Sequence, residues 1–359
     1  MDLQIPTEGT TTSEYEGNDM DADFGIGEVS SEQELGEWFS LMLEHNTQQM
    51  ANPQLPSYDL GERFTRQLFE MCNKIRLSTE VKINSAIVLN KYLNTLKTKA
   101  SNLLLNESNV HTRRQLHEQV RNRMLRHMPI RMISSIQIAS KMFTYRYTPT
   151  LKEIRKYLDS IDQPFLPEDI VASEMTVLES VNFDVTNSHS PIAYLETVLQ
   201  LFVLGRPEKT NFNVQKYWKA CMEVIELVFL SYDDAMKYII KSYLHINKEA
   251  HRNLGRPSMQ HLKCDYLLLA CGVLCVPVSR LAGKLHLHVM AKQLSNLTSL
   301  EFDHIIASAN GIVHMIRKTQ KLADINHETA LRLDRTIWSL LDEESAERKA
   351  KRKRKASMD

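Results

Sequence analysis

Two charged residues sit in apolar company, and both need explaining. From Ile130 to Phe143, apolar side chains cover most of a helical circumference, while Ser134, Gln137 and Lys141, at i, i+3 and i+7, form a narrow polar stripe. From Pro167 to Val181, the positions Ile170, Val171, Val177, Leu178 and Val181 define an inward face that Glu174 interrupts. A carboxylate on a buried face costs several kcal/mol, by order of magnitude, unless it is paired or hydrogen-bonded. Lys141 is the natural partner. The alternative is a lysine buried only along its stem and a glutamate at the rim, each separately solvated.

Other groupings that could do chemistry are weaker. His286-x-His288 brings two imidazoles near each other without a third or fourth ligand at a recognisable spacing, so surface histidines are expected rather than a metal centre. Cys264, Cys271 and Cys275 share one face of an apolar helix and read as core. Five cysteines without a C-x-x-C pair argue against both a disulfide framework and a zinc site. The chain has no P-loop, no Gly-rich dinucleotide fingerprint and no G-x-S-x-G elbow. The expectation is a protein that is not an enzyme and that needs no cofactor and no metal.

The 359 residues carry 44 Lys+Arg against 44 Asp+Glu, but this zero balance hides a strong asymmetry. Residues 1–62 hold fourteen acids and no Lys or Arg, whereas residues 348–359 hold seven basic groups and one acid. The acidic segment over 1–57 is too polar to order itself for the most part, apart from Leu35–Leu43, which could form a short docking helix. The basic tail over 347–359 contains Lys351-Arg352-Lys353-Arg354-Lys355, which reads as a nuclear import signal, a nucleic-acid arm or a solvated end. A polar stretch over about 97–125, with Arg113, Arg114, Arg121, Arg123 and Arg126 and then Arg131 beyond it, is either a solvated insertion or a patch for an acidic partner such as DNA. The apolar run Tyr266–Val278 is too short to span a bilayer and contains a proline, and no signal peptide opens the chain, so a soluble intracellular protein without membrane contact is expected.

The elements that must position these residues all read as helices. Gly and Pro number 11 each, too few for a many-stranded protein, and no alternating strand pattern is present. Asp59-x-x-Glu62 predicts a capped helix with Phe64, Leu68, Met71 and Cys72 inward, and a second helix follows over about 79–96. A third is expected from Pro129, a fourth from Thr150-x-x-Glu153 and a fifth from Pro167. Further helices are predicted from Ser190-Pro191, around Trp218, around Ile239, over 259–276, from Thr298-x-x-Glu301 and over 328–344. The pattern is all-α. It divides into a first bundle over 58–187, a second over 188–322, a C-terminal helix over 323–346 and the tail.

Ile138-Ala139-Ser140-Lys141, then Glu174-x-x-Val177-Leu178 with Val181-Asn182-Phe183-Asp184, then Ser190-Pro191-Ile192-Ala193-Tyr194-Leu195, resemble the cyclin box. The match is dense over about 126–204 and looser over 59–98 and 205–320. The segment 190–199 is most similar to a meiotic, crossover-associated member of the cyclin family. The resemblance implies two tandem five-helix cyclin boxes, the first more clearly matched. It also implies that Lys141 and Glu174 pair and contact a cyclin-dependent kinase, with Asn90 and Gln137 on the same surface. The function it implies is non-enzymatic: a nuclear protein on meiotic chromosomes that promotes crossover formation with a kinase or with recombination proteins. There are departures. Asn90 stands where the family usually has aspartate, no acidic pair follows Lys141, and the first helix lacks a Met-Arg-x-x-Leu docking patch. The alternatives are a nucleic-acid-binding cyclin-fold protein of the basal transcription factor type, or a conventional cell-cycle cyclin.

Overall fold

The computed structural model describes residues 32–52, 58–105, 109–143, 148–185, 190–205, 213–246, 262–281, 284–321, 329–337 and 339. The acidic residues 1–31 and the basic tail with Lys351, Arg352, Lys353, Arg354 and Lys355 lie outside them. All regular structure among the described residues is helical, as the periodicity predicts. The helices are α1 (Glu32–Met50), α2 (Glu62–Lys74), α3 (Thr79–Leu105), α4 (Val110–Phe143), α5 (Leu151–Ser160), α6 (Pro167–Ser180) and α7 (Pro191–Leu204). They continue with α8 (Val214–Leu230), α9 (Tyr232–Ile246), α10 (Tyr266–Leu281), α11 (Lys284–Thr298) and α12 (Phe302–Lys321), and residues 329–337 form a further helical segment. None of these is long and apolar enough to cross a membrane.

Local signals explain most starts. Thr150 and Glu153 form the expected capping box of α5, and Ser190 accepts from the Ala193 N–H ahead of Pro191. Two expected caps are absent. Glu62 opens α2 behind Gly61, whose φ of 78° supplies the turn, so the N-cap position falls on Gly61 and not on Asp59. Thr298 ends α11 instead of opening α12, its hydroxyl donating to the Leu294 carbonyl. The apolar helix expected over 259–276 is α10: Asp265, accepting from the Leu268 N–H, caps it, and it runs on through Pro277. α11, missed in the sequence, turns Leu287, Met290, Ala291 and Leu294 inward and leaves His286 and His288 on its exposed side.

The largest departure concerns the polar stretch over 97–125. α3 continues to Leu105 and α4 begins at Val110, where the Asn109 side chain accepts from the His111 and Thr112 N–H groups. Pro129 therefore lies inside α4 and does not start it. The two extensions pack as a helical hairpin. Leu116, Val120 and Met124, four residues apart, are its half-buried stripe, while Arg113, Arg114, Arg121, Arg123 and Arg126 are exposed.

Helices α2, α3 and α6 pack against α4, and α7, α8, α9, α11 and α12 contact one another or α10. α1 docks on α7 through Phe39 and Met42, and the buried Tyr194 hydroxyl donates to the Met42 carbonyl at 3.2 Å. The seam between the two groups is α8 against α2 and α3. α8 is buried nearly all round, and two of its buried residues are carboxylates. Glu226 accepts from Lys82 at 3.2 Å, Thr79 at 3.1 Å and Arg332 at 3.3 Å. Glu223 accepts from Thr336 at 3.0 Å, and its second oxygen has no hydrogen-bond partner among the described residues.

Burial pushes the Glu223 carboxyl up to about 7, against the smaller opposing pull of Thr336 and Arg332. A carboxyl whose folded value is raised opposes folding once it must ionise, so its cost is absent below about pH 4.5 and complete above about pH 7. Glu223→Gln removes this titration. Denaturation melts from pH 5 to 8 are expected to show the stability difference shifting in the variant's favour by up to about 3 kcal/mol. A pH-independent difference would show that Glu223 is ionised throughout.

Candidate functional site

The buried half of α4 meets α6 through two serines. The Ser134 and Ser173 hydroxyls lie 2.6 Å apart, both fully or nearly fully buried, and Ser134 also donates to the Ile130 carbonyl. Such small side chains let the two helices approach closely. Arg131 reaches across the contact, one guanidinium nitrogen donating to both the carbonyl and the hydroxyl of Ser173 at 2.9 Å, and its guanidinium lies over the Tyr92 ring. Arg131 thus belongs to the helix contact and not to the exposed arginine set with which the sequence groups it.

Ser173 also corrects the expected inward face of α6. The buried residues are Ile170, Ser173 and Val177, followed by Val181, while Val171 is 53% exposed. Glu174 therefore stands at the margin of the buried arc and does not interrupt its centre. The arc is narrower because a hydroxyl, paired across the contact, occupies the position next to Glu174.

The structure brings Lys141 and Glu174 together. The ammonium donates to Glu174 Oε1 at 2.6 Å, with the lysine side chain half exposed and the glutamate 14% exposed. Of the two readings left open by the sequence, the paired one holds. Around the pair, Met142 on α4 and Val171 and Met175 on α6 all expose close to half of their surface. A charged pair ringed by exposed apolar side chains on two fixed helices has the composition of a protein-recognition surface.

Gln137 and Asn90 are placed differently. Gln137 is buried, and its carbonyl oxygen has no hydrogen-bond partner among the described residues. Asn90 is also buried. Its side-chain oxygen accepts from the Asp59 backbone N–H at 2.9 Å, which pins the segment entering α2. Neighbouring Lys91 holds the turn after α6, donating to the Asp184 carbonyl at 2.7 Å and to its carboxylate at 2.5 Å. Asn182 and Phe183 in that turn have φ near 55°. No local pattern signals the roles of Ser173, Lys91 or Asp59, because each depends on a contact between residues far apart in the chain.

Among the described residues, no group of three or more His, Cys, Asp or Glu could hold a metal ion. All five cysteines are buried and free, and burial raises each thiol, Cys72 to about 12 and Cys264 to about 11, which leaves them inert.

No family model matches the chain. It is similar to mouse Cyclin N-terminal domain-containing protein 1, 26% identical over 162 residues, which is 45% of each chain. It is similar to the human protein of the same name, 26% identical over 145 residues, 40% of this chain and 42% of the relative. The chain thus spans less than half the length of the curated relatives it matches. The similarity supports a cyclin-like protein with an all-α fold.

The geometry separates a residue that holds the fold from a pair that does little for it. Asn90→Ala removes the acceptor of the part-buried Asp59 N–H from a buried position and is expected to lower stability by about 1–1.5 kcal/mol. Lys141→Ala with Glu174→Ala removes a partly exposed ion pair and is expected to cost less than about 1 kcal/mol. Urea unfolding of the two variants checks the ordering; equal losses would show that the pair is structural.

Proposed function

We propose that the chain is a non-enzymatic, cyclin-like regulatory protein that docks a cyclin-dependent kinase on the face around Lys141 and Glu174. The observation behind this reading is the 2.6 Å ion pair, partly exposed and flanked by Met142, Val171 and Met175. A kinase is active when the glutamate of its mobile helix swings in to meet the lysine of its β3 strand. A rigid surface that binds only that arrangement shifts the kinase population toward it by its differential affinity and needs no catalytic group of its own. Lys141 and Glu174 supply a donor and an acceptor side by side for the backbone and side chains of such a helix. Their apolar neighbours supply area that is worth burying.

The setting is proposed to be the nucleus and meiotic chromosomes, where the protein promotes crossover formation together with a kinase or with recombination proteins. The support is the resemblance of residues 190–199 to a crossover-associated cyclin-like protein, together with the basic run Lys351–Lys355 as an import signal. A conventional cell-cycle role has less support, because α2 begins Glu62-Arg63-Phe64-Thr65-Arg66-Gln67-Leu68 and lacks the substrate-docking pattern.

Affinity capture from meiotic germ cells, read by mass spectrometry, is expected to recover a cyclin-dependent kinase with the wild-type chain. Recovery with the Lys141→Ala, Glu174→Ala double variant should be at least about tenfold lower, as is typical when one side of a desolvated polar contact is truncated. The helical circular dichroism of the two should match. Equal recovery would place the kinase elsewhere on the molecule or remove it from the reading.

The exposed arginines of the α3–α4 hairpin favour a second reading, nucleic-acid binding. Contacts to phosphates through Arg113, Arg114, Arg121, Arg123 and Arg126 make affinity fall steeply with salt. A gel-shift titration at 50 and 200 mM salt, chosen because five released counterions imply a drop of roughly 500-fold for duplex DNA, is the check. No shift at the lower salt would remove this reading.

A further inference from the structure

A second surface feature lies far along the chain from the Lys141–Glu174 face, in a groove between α9 and α12. The two helices run antiparallel: Asp234 at the start of α9 pairs with Lys318 near the end of α12, and Tyr243 near the end of α9 meets His304 near the start of α12. They touch backbone to backbone at Gly311, where a Cβ would stand 2.5 Å from the Ile239 Cα and N, so only glycine permits this approach. Beside the contact opens a cleft of about 460 Å³, with Ser279 of α10 and Leu287 of α11 as its further walls. That volume is within the range of specific ligand clefts.

The lining is unusual for the groove between two packed helices. α9 contributes Tyr238, Lys241, Ser242 and His245, at i, i+3, i+4 and i+7, and α12 contributes Asn310, Val313, His314 and Arg317 at the same spacing. Facing stripes with this spacing are ordinarily apolar. Here they carry two permanent cations, two imidazoles, two hydroxyls and an amide. Among the described residues, no carboxylate lines the cleft. Neither Lys241 nor Arg317 is paired with a carboxylate among the described residues, although Lys318, the next residue along, pairs with Asp234 at 2.8 Å. The His314 ring packs on Tyr238 with centroids 4.5 Å apart, which holds the imidazole at the cleft wall.

We infer that this cleft binds a phosphorylated serine or threonine on a segment of a partner protein. A phosphate with close to two negative charges and three strong acceptor oxygens matches what the lining offers. Arg317 has the planar fork for two oxygens, Lys241 is a point charge, and Ser242, Asn310 and the imidazoles are further donors. A nucleic-acid strand fits less well. Laid along the groove, it would meet Asp234 at the Arg317 end and Glu301 and Asp303 at the other, whereas a single phosphate occupies only part of that length. The site is separate from the Lys141–Glu174 face, and its occupancy does not depend on a kinase docking there.

The test uses the full chain and a pool of serine-phosphorylated nonapeptides with randomised flanks, against the same pool unphosphorylated. The phosphorylated pool should shift the His245 and His314 ring resonances saturably and bind at least about tenfold tighter, the ratio expected if a charge-assisted contact of about 1.4 kcal/mol or more is gained. Lys241→Glu with Arg317→Glu should abolish that preference. Lys237→Glu, an exposed residue of α9 outside the lining, should leave it unchanged. Equal binding of the two pools, no binding, or a preference that survives the double charge reversal overturns the inference. So does displacement by inorganic phosphate at the same concentration as the peptide, which would mark a simple anion site. Displacement by a single-stranded oligonucleotide at a lower concentration would assign the cleft to nucleic acid instead.

Discussion

One buried carboxylate ties the molecule together. Glu226 sits in the most enclosed helix, and its two oxygens are met by Lys82 and Thr79 of α3 and by Arg332 of the 329–337 segment. An unpaired carboxylate there would cost several kcal/mol, so α3, α8 and the late helical segment must be in register before the charge can be tolerated. Such a pair adds little net stability compared with well-packed apolar side chains. What it restricts is how the elements can come together, since any slip leaves a charge without its partner. Glu223, one turn earlier on α8, sharpens this restriction, because one oxygen is held by Thr336 and the other has no hydrogen-bond partner among the described residues.

The Lys141–Glu174 face has a different character. It rests on the serine contact between α4 and α6, on Arg131 clamped to Ser173, and on Asn90 holding the chain ahead of α2. These are buried or part-buried polar contacts, and they leave the exposed pair with little structural duty. A partly exposed ion pair contributes at most about 1 kcal/mol to folding. Its geometry is set by the helices beneath it, which suits a surface that must present fixed donors and acceptors to another molecule. The α9–α12 cleft follows the same logic through the close approach at Gly311.

Much of this was legible in the residues. Helical periodicity placed Ile133, Ile136 and Ala139 in a core and marked Lys141 as an outlier, and its pairing with Glu174 followed from the cost of leaving a carboxylate alone. The errors trace to signals that local sequence cannot resolve. Asp59-x-x-Glu62 and Thr298-x-x-Glu301 satisfy a capping pattern, yet Gly61 opens one helix and Thr298 closes another. The polar stretch over 97–125 reads as an insertion, helical at most in part, because its apolar residues are sparse, but two antiparallel helices need only a narrow stripe, Leu116, Val120 and Met124, to stay paired. Val171 seemed inward because the serine beside Glu174 was not counted as core.

The all-helical architecture and the identity of the central apolar helices were determined by the sequence alone, since spacing at 3.6 residues and the scarcity of turn residues are properties of the chain itself. The sequence also placed one cation and one anion where they would have to be reconciled. Tertiary structure decided the rest: that Ser173 shares the core with Ser134, that Glu226 draws three distant elements together, that Lys241 and Arg317 face one cleft without a carboxylate, and that Arg131 leaves its basic neighbours for a helix contact. Each of these depends on which side chains meet across long sequence separations. That is settled by packing and by the cost of unpaired buried groups, not by the local preference of any segment.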